Sequence, residues 1–171
     1  YLMEEQPAEK IASVSQAELA NRLSYFLWSR SPDAELLNIV DEGKLYDPVV
    51  LRHQVKRMLA HPNRGALSEG FISQWAELSR FDGIGIDQTK HVAFNDGIRH
   101  SARLEVQHFF DTMIAENLAL DQLIDSDFAV VNGVLAQHYR LNHQPAGDQF
   151  QKVSLPADSP RGGLLGQTAF L

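Results

Sequence analysis

The residues best suited to chemistry are Glu105 and His108, which lie three positions apart on one predicted helix. At 100° per residue, the apolar side chains from Ile98 to Ile114 form one broad stripe, and Glu105 falls inside it. A bare carboxylate in such a place costs several kcal/mol, so we expect Glu105 to be neutral or paired. A structural ion pair or backbone N–H partners are the favoured interpretation, and a role as catalytic acid or base is the alternative.

The Glu-x-x-His spacing also occurs in helical di-iron proteins, where carboxylate and imidazole groups project from facing helices onto the metals. Such a site needs further Glu ligands and a second Glu-x-x-His, and the sequence contains no second copy. His108 also points about 60° away from Glu105 at helical spacing. We therefore predict no metal site here.

A second candidate is the acidic run Asp121, Asp125 and Asp127, which suggests calcium. An EF-hand loop requires an oxygen ligand at its fifth position and Gly at its sixth. Counted from Asp125, these positions hold Ala129 and Val130, so the pattern fails. Turn or helix-capping roles are expected for these aspartates instead.

Further polar candidates lie near the C-terminal end. His138 precedes Tyr139 at the end of a predicted helix and is a candidate proton carrier or haem-iron ligand, although stabilising the helix terminus is the favoured role. Arg161-Gly162-Gly163 is a candidate anion loop, but no strand-to-helix phosphate loop surrounds it, so a turn is predicted. The absence of Cys excludes thiolate nucleophiles, Cys-ligated metals and covalent haem attachment within the segment.

Composition limits the classes of partner. The net charge is −7 with 44% hydrophobic residues, which predicts a well-formed core and argues against binding nucleic acid or an anionic membrane through bulk charge. The basic span Arg52, Lys56, Arg57 and Arg64 is expected to be a solvated helix face rather than a DNA reader. No apolar run approaches the roughly 18 residues that a membrane span needs, so no membrane insertion is predicted.

The elements that position these residues are mostly helical. Ser15 and Glu18 form a capping box that begins a helix ending near Ser29. Ser31 with Pro32, and Asp47 with Pro48, are start signals for two more helices. Later elements are a helix from about 64 to 80 with Leu67, Phe71, Trp75 and Leu78 inward, the long helix from Ile98, a turn at 120–124, a helix at 131–139 and a strand-like alternation at 150–155. The pattern predicts an all-α, irregular bundle of about six helices with a small β element near the C-terminus.

Several phrases together resemble one helical domain of unknown function, which occurs in large, exported proteins expanded in planctomycete-type bacteria. The resemblance covers residues 15–171, and its most specific block is ELANRLSYFLW followed by PDAELL. The last phrase, RGGLLG at 161–166, resembles the start of the domain that usually follows. The other matching positions are Phe71 with Gln74 and Trp75, Glu105 with Phe109 and Phe110, and Asn132 with Leu135, Ala136, His138 and Tyr139.

The resemblance implies an exported or periplasmic, multi-domain protein. Many relatives include a cytochrome c-like segment, which implies haem c elsewhere in the full-length protein, no cofactor in this segment, and a redox or polymer-degrading setting. It assigns no reaction to the helical domain, so catalytic residues are left unassigned. The matched polar residues are candidates for a shared polar cluster: Arg22, Glu105, Asn132, His138 and Arg161.

The expected organisation is a linker at 1–14, a helical bundle domain at 15–141, and a loop leading into a truncated following domain at 142–171. The chain stops in an apolar stretch, so a longer polypeptide is expected. We predict a non-catalytic structural or interaction module whose partners are other domains of the same polypeptide. The alternatives are part of a periplasmic redox or polysaccharide-degrading enzyme completed by residues outside the segment, and carbohydrate binding by Trp28 or Trp75. Exposed indole faces would favour the last alternative, and buried ones would exclude it.

Overall fold

The computed structural model describes residues 13–87, 89–91, 93–143 and 145–171, so most of the predicted linker at 1–14 lies outside the described residues. The chain forms two compact units, one ending at Asn63 and the other running from Arg64 to Leu171. The fold class is all-α with a small antiparallel sheet near the C-terminus, as the sequence predicted.

Among its described residues, 13–63, the N-terminal unit contains three α-helices, α1 (Gln16–Trp28), α2 (Ala34–Asp41) and α3 (Pro48–Ala60), with α1 in contact with both others. The predicted capping box begins α1. The Ser15 hydroxyl accepts from the Glu18 N–H at 3.2 Å, and the Ser15 N–H donates to the Glu18 carboxylate at 2.8 Å. Asp47 caps α3 with Pro48 in its first turn, which confirms that start signal.

The predicted N-cap of α2 was wrong, because Asp33 rather than Ser31 caps the helix. The Asp33 carboxylate accepts from the Leu36 N–H at 3.0 Å. It also receives two hydrogen bonds from Arg57, at 2.6 and 3.0 Å. A carboxylate is favoured at a helix N-terminus by the helix dipole, and here the guanidinium holds it in place.

The core of this unit surrounds Trp28, whose side chain is only 2% exposed. Its indole N–H donates to the Met58 carbonyl at 3.0 Å, so the buried donor is satisfied and α1 is tied to α3. Leu36, Leu45 and Met58 are completely buried in the same unit.

The C-terminal unit begins with a broken helix. Short helical segments α4 (Gly65–Leu67) and α5 (Ser73–Trp75) flank a π-helical turn at Ser68–Ile72, and α6 (Leu78–Gly83) follows a break at Glu77, where φ is +50°. The prediction of one continuous helix from about 64 to 80 was therefore wrong.

The π turn has a direct effect on which side chains are buried. A π turn contains an extra residue and rotates the following positions around the helix axis. Ile72 is therefore fully buried, whereas Phe71 is 44% and Trp75 60% exposed, contrary to the predicted inward positions. Leu67 and Leu78, on either side of the disturbance, are buried as predicted.

The central element is α7 (Asp96–Ala115), which contacts the π turn, α6 and the elements that follow it. Asn95 caps it by accepting from the Ile98 N–H at 3.0 Å. The predicted stripe is confirmed along most of its length, and Phe110 and Ile114 at its edge are half-buried. The fully buried apolar members are Ile98, Ala102, Val106, Phe109 and Met113.

A two-stranded antiparallel sheet packs on α7, formed by β1 (Phe128–Val131) and β2 (Gln151–Ser154), with α8 (Gly133–His138) between them. The strand predicted near 150–155 is confirmed as β2. The helix predicted from Val131 was wrong at its start, because Val131 ends β1 and pairs with Gln151. All four β1 side chains are buried, and such a short apolar run has no period that separates a strand from a helix.

Candidate functional site around Glu105 and Tyr139

The buried acid of α7 has a defined partner. Glu105 is 1% exposed, and its Oε2 accepts a hydrogen bond of 2.6 Å from the Tyr139 hydroxyl. Tyr139 directly follows α8 as its C-cap residue. The hydrogen bond therefore joins the middle of α7 to the end of α8.

Tyr139 also contacts the C-terminal segment. Its hydroxyl accepts from the Thr168 N–H at 2.9 Å, so one phenol is both donor and acceptor. The Arg161 guanidinium lies over the phenol ring, 4.3 Å from its centroid, and donates to the Gly166 carbonyl at 3.2 Å. Three parts of the unit thus meet at this side chain: α7, the end of α8 and residues 161–168.

Burial controls the charge of this cluster. It raises the pKa of Glu105 to about 8, against the opposing effects of the Tyr139 hydrogen bond, the Arg161 charge and the Thr168 backbone. Burial also raises the pKa of Tyr139, and the neighbouring acid adds to this. Burial therefore favours the protonated form of Glu105 near neutral pH, in which the acid can take part in a structural hydrogen bond.

Two of the other predicted polar residues, Asn132 and Arg22, belong to different units. Asn132 is the N-cap of α8, where its side chain accepts from the Leu135 N–H at 3.0 Å and donates to the Ser101 hydroxyl at 3.0 Å. Ser101 is one helical turn before Glu105, so Asn132 ties α8 to α7 beside the pair. Arg22 is an exposed residue of α1 and belongs to the N-terminal unit.

His138 and Arg161 lie in the walls of two cavities of about 710 and 680 Å³. His138 is half-buried, and burial lowers its pKa, with the Arg161 charge adding to the effect. Glu105 does not line either of these cavities. The structure thus brings Glu105 and Arg161 together around Tyr139, and the His138 ring lies 5.6 Å from the Tyr139 ring, between their centroids.

Comparison with known proteins identifies a family. The model of PSD4, described as "Protein of unknown function (DUF1592)", matches residues 14–141, which is most of the chain. The chain belongs to the PSD4 family. No curated protein and no solved structure matches it significantly.

The PSD4 match contains Glu105, Asn132, His138 and Tyr139 but stops before Arg161 and Thr168. Residues beyond the match nevertheless belong to the same compact unit, which runs on to Leu171. Half of the hydrogen-bonding environment of Tyr139 is therefore supplied by the segment after the PSD4 match. Sequence reasoning missed this role of Tyr139, because no motif links it to a backbone N–H twenty-nine positions later.

The Arg161-Gly162-Gly163 segment packs against the chain before β1. The Gly163 N–H donates to the Ser126 hydroxyl at 2.9 Å, and that hydroxyl donates to the Phe128 carbonyl at 2.7 Å. A Cβ on Gly163 would lie 2.1 Å from the Ile124 carbonyl oxygen, and one on Gly162 would lie 2.6 Å from the Ser126 oxygen. These glycines are needed for close backbone packing, and the Gly163 N–H is already bonded within the protein.

Among the described residues, no group of three or more His, Asp or Glu side chains is placed to hold a metal ion. Within the same residues, no helix has the length and hydropathy of a membrane span. Two of the four basic residues at 52–64 are engaged in ion pairs, Arg57 with Asp33 at 2.6 Å and Arg64 with Asp111 at 3.1 Å.

Proposed function

We propose that this chain is a non-catalytic structural and interaction module of a large, exported protein, and that its partners are other domains of the same polypeptide. The observation on which this rests is the enclosure of Glu105. An acid used in catalysis must reach substrate or water, whereas this one is 1% exposed and bonded to the half-buried phenol of Tyr139. Its pKa of about 8 fits a protonated group that holds elements together.

An exposed aromatic surface supports the interaction role. The rings of Phe71 and Trp75 are stacked with 6.5 Å between centroids, and Phe71 is 5.7 Å from Phe110 on α7. Large aromatic residues are enriched in the buried centres of protein interfaces. The exposure of Phe71 and Trp75, 44% and 60%, supports the proposal that this pair is the contact surface for a neighbouring domain.

The test is to prepare this chain and the rest of the full-length polypeptide separately and to measure their association by analytical ultracentrifugation. The double variant Phe71→Ser with Trp75→Ser should weaken the complex by about a hundredfold, the loss expected when two central aromatic contacts are removed. The matched control is Leu120→Ser with Ile124→Ser, which changes two residues that are 78% and 69% exposed in the same unit. Equal affinity for the two double variants would contradict the proposed surface.

The enzyme alternative makes a different prediction. If the full-length protein has an activity that Glu105→Gln lowers by more than about a hundredfold without changing the unfolding midpoint, the acid acts in catalysis. The structural role predicts that any loss of activity follows a loss of stability.

Carbohydrate binding is retained as a second candidate because of one observation, the 60% exposure of Trp75. Trp28 is 2% exposed, so it is excluded as a sugar platform. Saturable blue shifts of tryptophan emission with cello- or chito-oligosaccharides, present in the wild type and absent in Trp75→Phe, would support this candidate. Unchanged emission would oppose it.

The cellular setting is proposed from the sequence resemblance. An exported protein with a cytochrome c-like segment elsewhere should show a haem Soret band when the full-length protein is purified without tags from its native compartment. A full-length protein with no Soret band would contradict the proposed haem association.

A further inference from the structure

The cavity of about 680 Å³ in the C-terminal unit has a mainly apolar wall. Its volume is in the range of small-molecule sites, which commonly combine an apolar lining with a few polar groups. We refer to it below as the Phe94 cavity. Its apolar lining consists of Phe81, Ile84, Ile86, Ala93, Phe94, Ala169, Phe170 and Leu171.

The polar side chains that line the Phe94 cavity are basic or neutral. They are Lys90, His91, His138, Arg161 and Thr168, and none of the described lining side chains is acidic. The whole chain has a net charge of −7, so the basic lining of this cavity is opposite in sign to the net charge of the protein. Charge complementarity therefore favours an anionic ligand in the Phe94 cavity.

Two aromatic walls of the cavity are held by Arg99. Its guanidinium donates to the carbonyls of Phe81 and Ile84 at 2.7 and 2.8 Å. It also lies 5.6 Å from the Phe81 ring centroid and 5.5 Å from that of Phe94. These contacts of Arg99 hold the Phe81 and Phe94 rings in place, so the apolar wall is already formed without a ligand.

Arg161 and Lys90 are the cations placed to meet a ligand. Arg161 is half-buried and donates one hydrogen bond, to Gly166, from a group with five N–H donors. Lys90 is 77% exposed and pairs with Asp87 only at 3.9 Å. A carboxylate accepts well from such donors, and a guanidinium can bind both of its oxygens.

We propose that the Phe94 cavity binds a small amphipathic carboxylate, with its hydrocarbon tail against Phe81, Ile84 and Phe94 and its carboxylate at Arg161. This activity goes beyond the structural role proposed above. A ligand at this place would contact both the α6–α7 connection and residues 168–171. Binding would therefore also stabilise the contact between these two parts of the unit.

The test uses decanoate as the probe in isothermal titration calorimetry of the chain. Decanoate should bind at one saturable site, decylamine should bind about tenfold or more weakly because its charge is repelled, and acetate should show no binding because it lacks a tail. Absence of saturable decanoate binding, or equal binding of decylamine, would overturn the proposal.

A pair of variants locates the site. Ile84→Glu places an acid in the cavity wall at a residue that is 52% exposed, and it should lower decanoate affinity by about tenfold or more. Ile124→Glu makes the same change at a residue that is 69% exposed outside the cavity, and it should leave the affinity unchanged. Far-ultraviolet circular dichroism and the unfolding midpoint confirm that both variants are folded. Equal losses in the two folded variants would place binding elsewhere and reject the Phe94 cavity.

Lys90→Ala provides an independent measurement that does not alter the apolar wall. The variant should lower the affinity for decanoate by a few-fold. Lys56→Ala in the N-terminal unit is the control, because it changes the net charge by the same amount. If both lysine variants give the same affinity, the local positive charge does not select the ligand, which contradicts the proposed charge recognition.

Discussion

The Tyr139 hydroxyl donates a 2.6 Å hydrogen bond to Oε2 of Glu105 and accepts a 2.9 Å hydrogen bond from the Thr168 N–H. One phenol therefore connects the long helix to the C-terminal segment through two partly buried hydrogen bonds. Hydrogen bonds in a low-dielectric interior are costly to break, because each separated partner is left without water. The stability of the C-terminal unit should depend strongly on this pair.

Glu105→Gln should change how stability depends on pH. The pKa of Glu105 is raised by burial to about 8 in the folded state, whereas an unfolded Glu titrates near pH 4.3. Between these values the folded protein holds a proton that the unfolded chain has lost. The free energy of unfolding should therefore fall with rising pH, by up to about 1.4 kcal/mol per pH unit.

Urea unfolding between about pH 5 and 9 measures this slope. Gln resembles the protonated acid in shape and keeps an acceptor for Tyr139, so the variant should lie within about 1 kcal/mol of the wild type near pH 5 and should lack this slope at higher pH. Parallel pH profiles for the two proteins would show that Glu105 is ionised in the folded state.

Tyr139→Phe should lower the free energy of unfolding by about 1–3 kcal/mol, because it leaves the Glu105 oxygen and the Thr168 N–H without this partner. Tyr25→Phe is the matched control. Tyr25 is 54% exposed and its hydroxyl lies 3.4 Å from Ser31, so a loss below about 0.5 kcal/mol is expected. Chemical unfolding monitored by circular dichroism gives both values. A similar small effect in the two variants would mean that the Tyr139 contacts contribute little net stability.

Gly163→Ala should be strongly destabilising, by about 3 kcal/mol or more. Gly163 has φ of +69°, and an added Cβ would lie 2.1 Å from the Ile124 oxygen, so both backbone strain and a backbone clash oppose alanine. Gly147→Ala separates the two causes. Gly147 has φ of +64° with no atom within 4 Å of the new Cβ, so only the strain of about 1 kcal/mol is expected. Thermal unfolding of both variants tests this, and equal midpoints would refute the close packing at Gly163.

Asp33→Ala should lower the free energy of unfolding by about 2 kcal/mol, because it removes both the N-cap of α2 and the ion pair with Arg57. Asp47→Ala removes a cap alone from α3 and should lower the free energy of unfolding by about 1 kcal/mol.

The hydrogen bonds from Arg57 lower the pKa of Asp33. The contribution of Asp33 is therefore present above the unfolded pKa of about 3.9 and is lost as pH falls through the lower folded value. Urea unfolding near pH 7 and near pH 2.5 compares the variants, and an Asp33→Ala loss that is no smaller at the lower pH would contradict this origin.

The sequence alone determined the features that depend on neighbouring residues. The capping box at Ser15 and Glu18, the Asp47-Pro48 start of α3 and the apolar stripe of α7 were predicted because caps and helical periods are local. The sequence also showed that Glu105 needs a partner, since an acid within an apolar stripe is costly wherever the helix packs. The alternation at 150–155 predicted β2 for the same local reason.

The tertiary structure decided what depends on distant contacts. The π turn at Ser68–Ile72 exposed Phe71 and Trp75 and buried Ile72, a change of phase by one residue that the periodicity of the sequence does not show. The partner of Glu105 is Tyr139, which directly follows α8 and lies thirty-four positions later in the chain. Tyr139 is bonded in turn to the Thr168 N–H, in the segment beyond the family match. A carboxylic acid is satisfied by any donor that packing brings within 3 Å or so, and packing is decided by the whole unit. The sequence alone therefore shows that Glu105 requires a partner, and only the tertiary structure shows that this partner is Tyr139.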